Sequence, residues 1–161
     1  MDAKLTKPTK ISEIKRFWHL IDLKGRTLGR VSTQIAMLLM GKSKSYFVRN
    51  LDCGDYVVVI NAAAVKATGN KETKKIYYRY SGYPGGLRKE VLADLRKRKP
   101  EDIIYHAVKG MLPQNKLRDK MLCRFFIFSG SEHKYEDKFS AKGWSAYGWK
   151  SQKRKLKYGK R

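Results

Sequence analysis

The chain has 161 residues, 42% of them hydrophobic, and its 37 Lys+Arg against 14 Asp+Glu give a formal charge of +23. That much apolar residue excludes a disordered polycation and is enough for one real core. A compact domain with this charge repels itself, so a polyanionic partner is expected, with nucleic acid the best fit because each neutralised phosphate releases counterions.

Residues 1–16 are polar and lysine-bearing, and read as a basic N-terminal arm. Phe17–Asp22 reads as a strand ended by a turn at Gly25. Thr27 suits a helix N-cap, and Leu28, Val31, Ile35, Leu38 and Leu39 then share one helical face up to Met40. Gly41 stands where a C-terminal cap belongs. Tyr56–Ile60 is continuous and β-branched, as in a strand covered on both faces. Strand, helix, strand with a crossover predicts a parallel α/β sheet. Val65–Thr68 and Lys75–Arg79 read as short strands forming a hairpin around Gly69-Asn70. A helix is expected near Lys89–Arg98, with Val91, Leu92 and Leu95 inward. Pro100 opens another helix, with Glu101 and Asp102 in its first turn where the dipole favours anions. Ile103, Ile104, Ala107, Val108, Met111 and Leu112 form its apolar stripe, and Pro113 stops it. Asn115 caps a short helix, and Phe125–Phe128 reads as a buried strand. The organisation expected is therefore an arm (1–16), one α/β domain (17–134) and a C-terminal extension (135–161).

Residues 77–89 hold four tyrosines, three cations, a proline and three glycines, with no acid. Tyrosine rings stack on unpaired bases, arginine forks grip phosphates, and glycines admit a close backbone approach. The plainer alternative is a surface turn whose tyrosines cap the core. Residues 138–161 hold nine cations and no acid, interleaved with Trp144, Tyr147, Trp149 and Tyr158. Aromatics among cations suit RNA, with Lys142, Trp144, Trp149, Lys150, Lys153, Arg154 and Lys155 as candidate contacts. The alternative is a solubilising tail, but solubility needs no tryptophan.

Other classes fit less well. No basic amphipathic helix or lipidation site points to a membrane. An acidic protein partner calls for one basic patch, whereas here cations appear in nearly every segment. No secretory signal or transit peptide is expected, since no apolar run precedes Phe17 and the first 16 residues carry Asp2 and Glu13. Cys53 and Cys123 have no partner spacing, which argues against a zinc ribbon or disulfide framework and suits the cytoplasm. Gly41-Lys42-Ser43 is no P-loop: Ala36 stands where its first glycine is required, and a helix precedes rather than follows it. Gly25–Arg30 lies between strand and helix, and its amides suit an RNA phosphate. His19, His106 and His133 lie in separate elements and read as structural or surface groups. Asp22, Asp52 and Asp55 allow a metal nuclease to be imagined, but turn-shaping is the better account. No catalysis, metal, cofactor or small-molecule substrate is expected.

Several segments line up in order with one family. They are Trp18–Asp22, Thr27–Arg30, Asp52–Asp55, Asn61-Ala62, Thr68–Lys71, Tyr78–Gly86, Val108–Pro113, Asn115–Leu117 and Gly130–His133. Through them the chain resembles the universal large-subunit ribosomal protein L-thirteen family, in its bacterial and organellar form. The resemblance implies a three-layer α/β/α fold with a mainly parallel four-stranded sheet. It implies a non-enzymatic role: binding and stabilising folded large-subunit rRNA, early in assembly, beside neighbouring ribosomal proteins. The RNA-facing segments it implies contain Arg26, Thr27 and Arg30; Lys42 and Lys44; Arg79, Ser81, Gly82, Tyr83, Pro84, Gly85 and Gly86; and Lys109, Gly110, Lys116, Arg118 and Lys120. Arg88 joins them as a phosphate contact beside the loop. The chain departs from the family at Arg118-Asp119, where Gly-Arg is usual, at Tyr80 and Asn50, where histidine is common, and in residues 135–161. The competing reading is a free regulatory RNA-binding protein, acting for instance on its own message.

Overall fold

The computed structural model describes residues 8–140. Three parallel strands form the central sheet: β1 (Trp18–Asp22), β2 (Tyr56–Ile60) and β5 (Phe125–Ile127), in the order β1-β2-β5. Trp18 pairs with Tyr56, and Val57 with Phe125. Four strands were expected in this sheet; among the described residues there are three. β2 lies in the middle, and Val57, Val58 and Val59 are fully buried, as its unbroken apolar run requires.

Between β1 and β2 runs α1 (Leu28–Met40), which buries Val31, Ile35 and Leu39 at helical spacing. Thr27 sits at its N-cap, but its side chain makes no capping bond. Instead the Leu28 amide donates to the Lys66 carbonyl at 2.9 Å. The helix ends at Gly41, whose φ of 73° is the left-handed conformation glycine adopts most cheaply. The Gly41 amide donates to the Leu38 carbonyl and the Lys42 amide to the Met37 carbonyl, the bond pair of a Schellman motif. A Cβ on Gly41 would collide with the Cys53 carbonyl, so the chain after α1 lies tight against the loop before β2.

The middle of the chain departs from expectation. Residues 65–68 form no strand; Lys66 makes a single bridge with Thr27. A one-turn helix, α2 (Lys71–Lys74), follows. The hairpin lies one step later, between β3 (Ile76–Tyr80) and β4 (Leu87–Val91). Lys89, Glu90 and Val91 thus belong to a strand, and α3 covers only Leu92–Arg98. Then come α4 (Pro100–Met111), with Ile103, Ile104 and Val108 buried, and α5 (Leu117–Leu122), with Met121 and Leu122 buried. α1 packs on α4, and both join Val57, Val59 and Phe125 in the main core. Leu92, Leu95 and Ile103 make a smaller cluster under the hairpin.

The second sheet face is covered by rings. Trp18 stacks on Tyr56 with centroids 4.4 Å apart, and the Phe126 ring lies 6.0 Å from that of Trp18. Tyr135 closes over Phe126 at 4.5 Å and Trp18 at 5.2 Å. Phe139, in α6 (Glu136–Ser140), meets Trp18 edge-on at 6.3 Å. The first residues of the C-terminal extension are therefore packed onto the domain. The N-terminal arm is also tied down from Thr9 onward. The Thr9 hydroxyl donates to the Tyr46 carbonyl, and the Lys15 carbonyl accepts from Lys44 and from the Tyr46 hydroxyl.

A buried polar centre joins these parts. Asp55, 2% exposed, accepts from Lys44 Nζ at 2.5 Å, from His19 Nε2 at 2.9 Å and from the Phe17 amide at 3.0 Å. The Lys44 ammonium also donates to the carbonyls of Lys15 and Cys53, at 2.6 and 2.8 Å. Those three bonds use all three of its donors. Lys44 is therefore an internal group, and the expected RNA contact at this position is corrected. Beside it, Asp52 receives a two-pronged ion pair from Arg124, whose side chain is 8% exposed. Burial pushes the Asp55 carboxyl pKa up, but the bonds from His19, Lys44 and the Phe17 amide outweigh it and leave the pKa below its ordinary value.

Two consequences are testable. Asp55→Asn removes the charge that balances buried Lys44 and should cost about 3–5 kcal/mol of stability at neutral pH. A carboxyl with a lowered folded pKa contributes stability above its unfolded value and loses it as pH falls through the folded one. Chemical denaturation from pH 7 down to pH 3 should therefore show an acid loss of stability that is smaller in Asp55→Asn than in the wild type. Separately, Tyr135→Ala should cost on the order of 2 kcal/mol through lost ring packing. Thermal melts should place a chain ending at Lys134 below one ending at Ser140.

Candidate nucleic-acid interface

The β3–β4 hairpin presents the tyrosine-glycine segment. In its register Ile76 faces Val91, Tyr78 faces Lys89 and Tyr80 faces Leu87, while Tyr77 faces Glu90 and Arg79 faces Arg88. Alternation places the first set on one face and the second on the other. Tyr77 turns inward onto the Leu92 cluster, with its ring 5.6 Å from His106. Burial holds its hydroxyl above the ordinary tyrosine pKa. Tyr77 is thus a core residue. Tyr78, Tyr80 and Tyr83 are 62%, 63% and 76% exposed.

The connection is built as a turn. The Gly86 amide donates to the Tyr83 carbonyl at 2.9 Å, Pro84 takes the second position, and Gly85 takes the third with φ 73°. That is a type II turn, whose third position needs positive φ. Among the described residues nothing but the adjoining backbone lies within 4 Å of the missing Cβ of Gly82 or Gly85, so those sides of the loop are open. Ser81 and Tyr83 are also exposed, and Ser81 continues the ladder through its amide to the Gly86 carbonyl. From Thr73 to Lys89 the sequence has no acid. Arg79 and Arg88 stand directly opposite each other, both exposed. Like charges paired across a ladder destabilise it, so this pair gains nothing from the fold itself.

The other candidate cations fall into two groups. Arg26 and Arg30 are exposed on either side of the start of α1, but the Leu28 amide between them is taken by Lys66. Lys42 is exposed just past the Schellman turn, two residues from buried Lys44. Near the end of α4, Lys109 lies over the Tyr105 ring at 5.8 Å, and Gly110 is exposed with open space around it. Lys116 and Lys120 are exposed around α5, whereas Arg118 is half-buried with its Nε unpartnered. Lys142, Trp144, Trp149, Lys150, Lys153, Arg154 and Lys155 lie outside the described residues.

The three carboxylates weighed for a nuclease are engaged elsewhere. Asp22 accepts from Asn61 Nδ2 at 2.8 Å and from the Lys24 amide at 2.9 Å, and both bonds lower its pKa. Asp52 and Asp55 balance Arg124 and Lys44. Among the described residues no group of His, Cys, Asp and Glu is arranged to hold a metal, and no helix is long and apolar enough to cross a membrane.

Sequence reasoning took residues 77–89 as one RNA-contacting segment without singling out Tyr78, Tyr80 or Lys89. Lys89 Nζ lies 5.8 Å from the Tyr78 ring centre. The signal was present in the strand alternation from Ile76, but it becomes readable only once Leu87–Val91 is paired as the second strand rather than read as the start of a helix.

A family model described as "Ribosomal protein L13" matches residues 16–134. A "Large ribosomal subunit protein uL13" from Dehalococcoides mccartyi (strain ATCC BAA-2266 / KCTC 15142 / 195) is 56% identical over 128 residues, covering 80% of this chain and 90% of that protein. Proteins with the same description from Syntrophotalea carbinolica and Staphylococcus aureus (strain JH9) are 51% and 46% identical, covering 80% and 76% of this chain and 90% and 84% of theirs. The chain belongs to the ribosomal protein L13 family.

Proposed function

We propose that this chain is a structural, non-enzymatic component of the large ribosomal subunit that binds and stabilises folded rRNA, early in assembly and then in the finished particle. The observation that carries the reading is the exposed, mutually opposed pair Arg79–Arg88 at the acid-free end of the hairpin, in a chain whose relatives are described as large-subunit proteins. Opposed arginines are relieved when an anion sits between them, and their planar forks match phosphate oxygens. The same electrostatics extends over Arg26, Arg30, Lys42, Lys109, Lys116 and Lys120, with Thr27, Ser81 and the loop glycines offering hydroxyls and backbone. The cations and tryptophans of residues 142–155 extend the contact along RNA. Neighbouring ribosomal proteins are its other partners, and the cytoplasmic ribosome is its location. A four-stranded, three-layer arrangement is what membership of the family implies for the fold.

Binding of this kind is salt-sensitive. With about eight phosphates neutralised, the log–log slope of affinity against salt on duplex-like RNA should be on the order of −7. A slope near −1 in filter binding of the purified chain would remove electrostatic RNA contact from the account. In cell lysate the chain should sediment with large subunits at physiological salt. Finding it at the top of the gradient would favour a free regulatory protein instead.

A further inference from the structure

The two faces of the hairpin differ in chemistry. One carries the opposed arginines and, nearer the core, Tyr77 and Glu90, the latter paired with Arg98 at 2.6 Å. The other carries Ile76, Tyr78, Tyr80 and Leu87, all at least 40% exposed, with Lys89 beside Tyr78 as its cation. Tyr83 stands at the tip. Tyr78 and Tyr80 are two residues apart on one side of a strand, so their rings sit roughly 7 Å apart along it. Neither ring has an aromatic neighbour among the described residues. A sheet face of this kind costs free energy in water, and a hairpin that served only to carry arginines would gain nothing from it.

Resting on the RNA-binding reading above, we propose that the hairpin is a two-sided RNA element: Arg79 and Arg88 hold backbone phosphate on one face, and Tyr78 and Tyr80 stack unpaired bases on the other. Charge complementarity selects nucleic acid over an apolar protein surface as the occupant of the tyrosine face. Its cation, Lys89, has no acidic neighbour on that face, and Tyr78 and Lys89 together offer a ring for a base beside an ammonium for its phosphate. Stacking is tolerant of sequence, because every base has a π-face. The face therefore recognises that bases are unpaired, not which bases they are. Duplex RNA keeps its bases stacked inside the helix and offers this face only phosphate and 2′-hydroxyls.

Both rings are exposed, so substitution there leaves the core untouched. The full-length chain is titrated with a mixed-sequence single-stranded RNA of about 12 nucleotides, within the usual size range of single-strand sites, and with a duplex of the same sequence. The double variant Tyr78→Leu/Tyr80→Leu should lose about tenfold or more in affinity for the single strand and little for the duplex, with the salt slope unchanged. Tyr78→Phe/Tyr80→Phe, which keeps the rings, should bind as the wild type does. Arg79→Gln/Arg88→Gln should weaken both RNAs and make the slope shallower by roughly 2. Single-strand affinity unchanged in the Leu variant, or lost equally for both RNAs, overturns the base-stacking face while leaving RNA binding in place. Unchanged affinity for both RNAs with reduced entry into large subunits overturns it in favour of a protein neighbour. If the wild-type chain binds neither RNA in a salt-dependent way, it is the proposed function that fails.

Discussion

The structure depends on one buried carboxylate. Asp55 sits at the foot of the central strand and gathers the Phe17 amide just before β1, His19 within β1, and Lys44 from the segment after α1. An ionised carboxylate accepts and does not donate, so the proton in the His19 bond belongs to Nε2. A charge removed from water is tolerated only when it is paired and fully hydrogen-bonded. That requirement fixes where the first strand enters, how closely the end of α1 approaches the loop before β2, and where the arm passes, because Lys44 also holds the Lys15 carbonyl. Asp52 and Arg124 repeat the arrangement one strand away and tie the same loop to β5.

This sets a division of labour among the charges. The few acids near the sheet go to cations that hold the fold: Asp55 to Lys44, Asp52 to Arg124, Glu72 to Arg96, Glu90 to Arg98. At the hairpin tip Arg79 and Arg88 are left exposed with no ion pair among the described residues, whereas Arg26 has Asp22 nearby and α5 carries Asp119. Such a surface is stable as a fold because its interior charges are satisfied, and it is poised for an anion because its exterior ones are not. Exposed pairs such as Arg98–Glu90 add little stability. Their placement matters more, since Glu90 is drawn to α3 and away from the arginines at the tip.

Much of this was legible in the sequence, and the exceptions share a cause. α1, β2 and α4 have strong periodicity or unbroken β-branched runs, and each appears where its pattern placed it, down to the glycine that ends α1. The hairpin was misplaced because Gly69-Asn70 carries a turn signal while Leu87–Val91 carries none. Its residues read equally well as the first turn of a helix, and only pairing with β3 decides between them. Lys44 was misjudged for a similar reason. Lysine next to serine and glycine looks like surface, and the acid that buries it stands 11 residues away in sequence. His19 was read as structural, and the interior placed it so. Which tyrosines of the loop are core was not readable either, because Tyr77 and Tyr78 differ only in the face to which the strand assigns them.

In the hairpin local physics and fold stability pull in opposite directions. Arg79 faces Arg88 across the ladder, apolar rings face water, and the turn relies on a glycine at positive φ. A strand pair built only for stability would place an acid opposite one arginine and polar residues on the open face. A polyanion with aromatic bases relieves the first two of these, whereas the glycine at positive φ is what the type II turn itself requires. The hairpin is nonetheless held in shape by Tyr77 on the Leu92 cluster and by Glu90 on Arg98, so the proposed RNA contact would be made by an element already formed. A preformed element loses little conformational freedom on binding, so more of the contact energy remains as affinity. From its sequence the tyrosine-glycine segment reads either as a turn capping the core or as a binding loop. The strand geometry divides its tyrosines, with Tyr77 packed on the core and Tyr78, Tyr80 and Tyr83 facing outward.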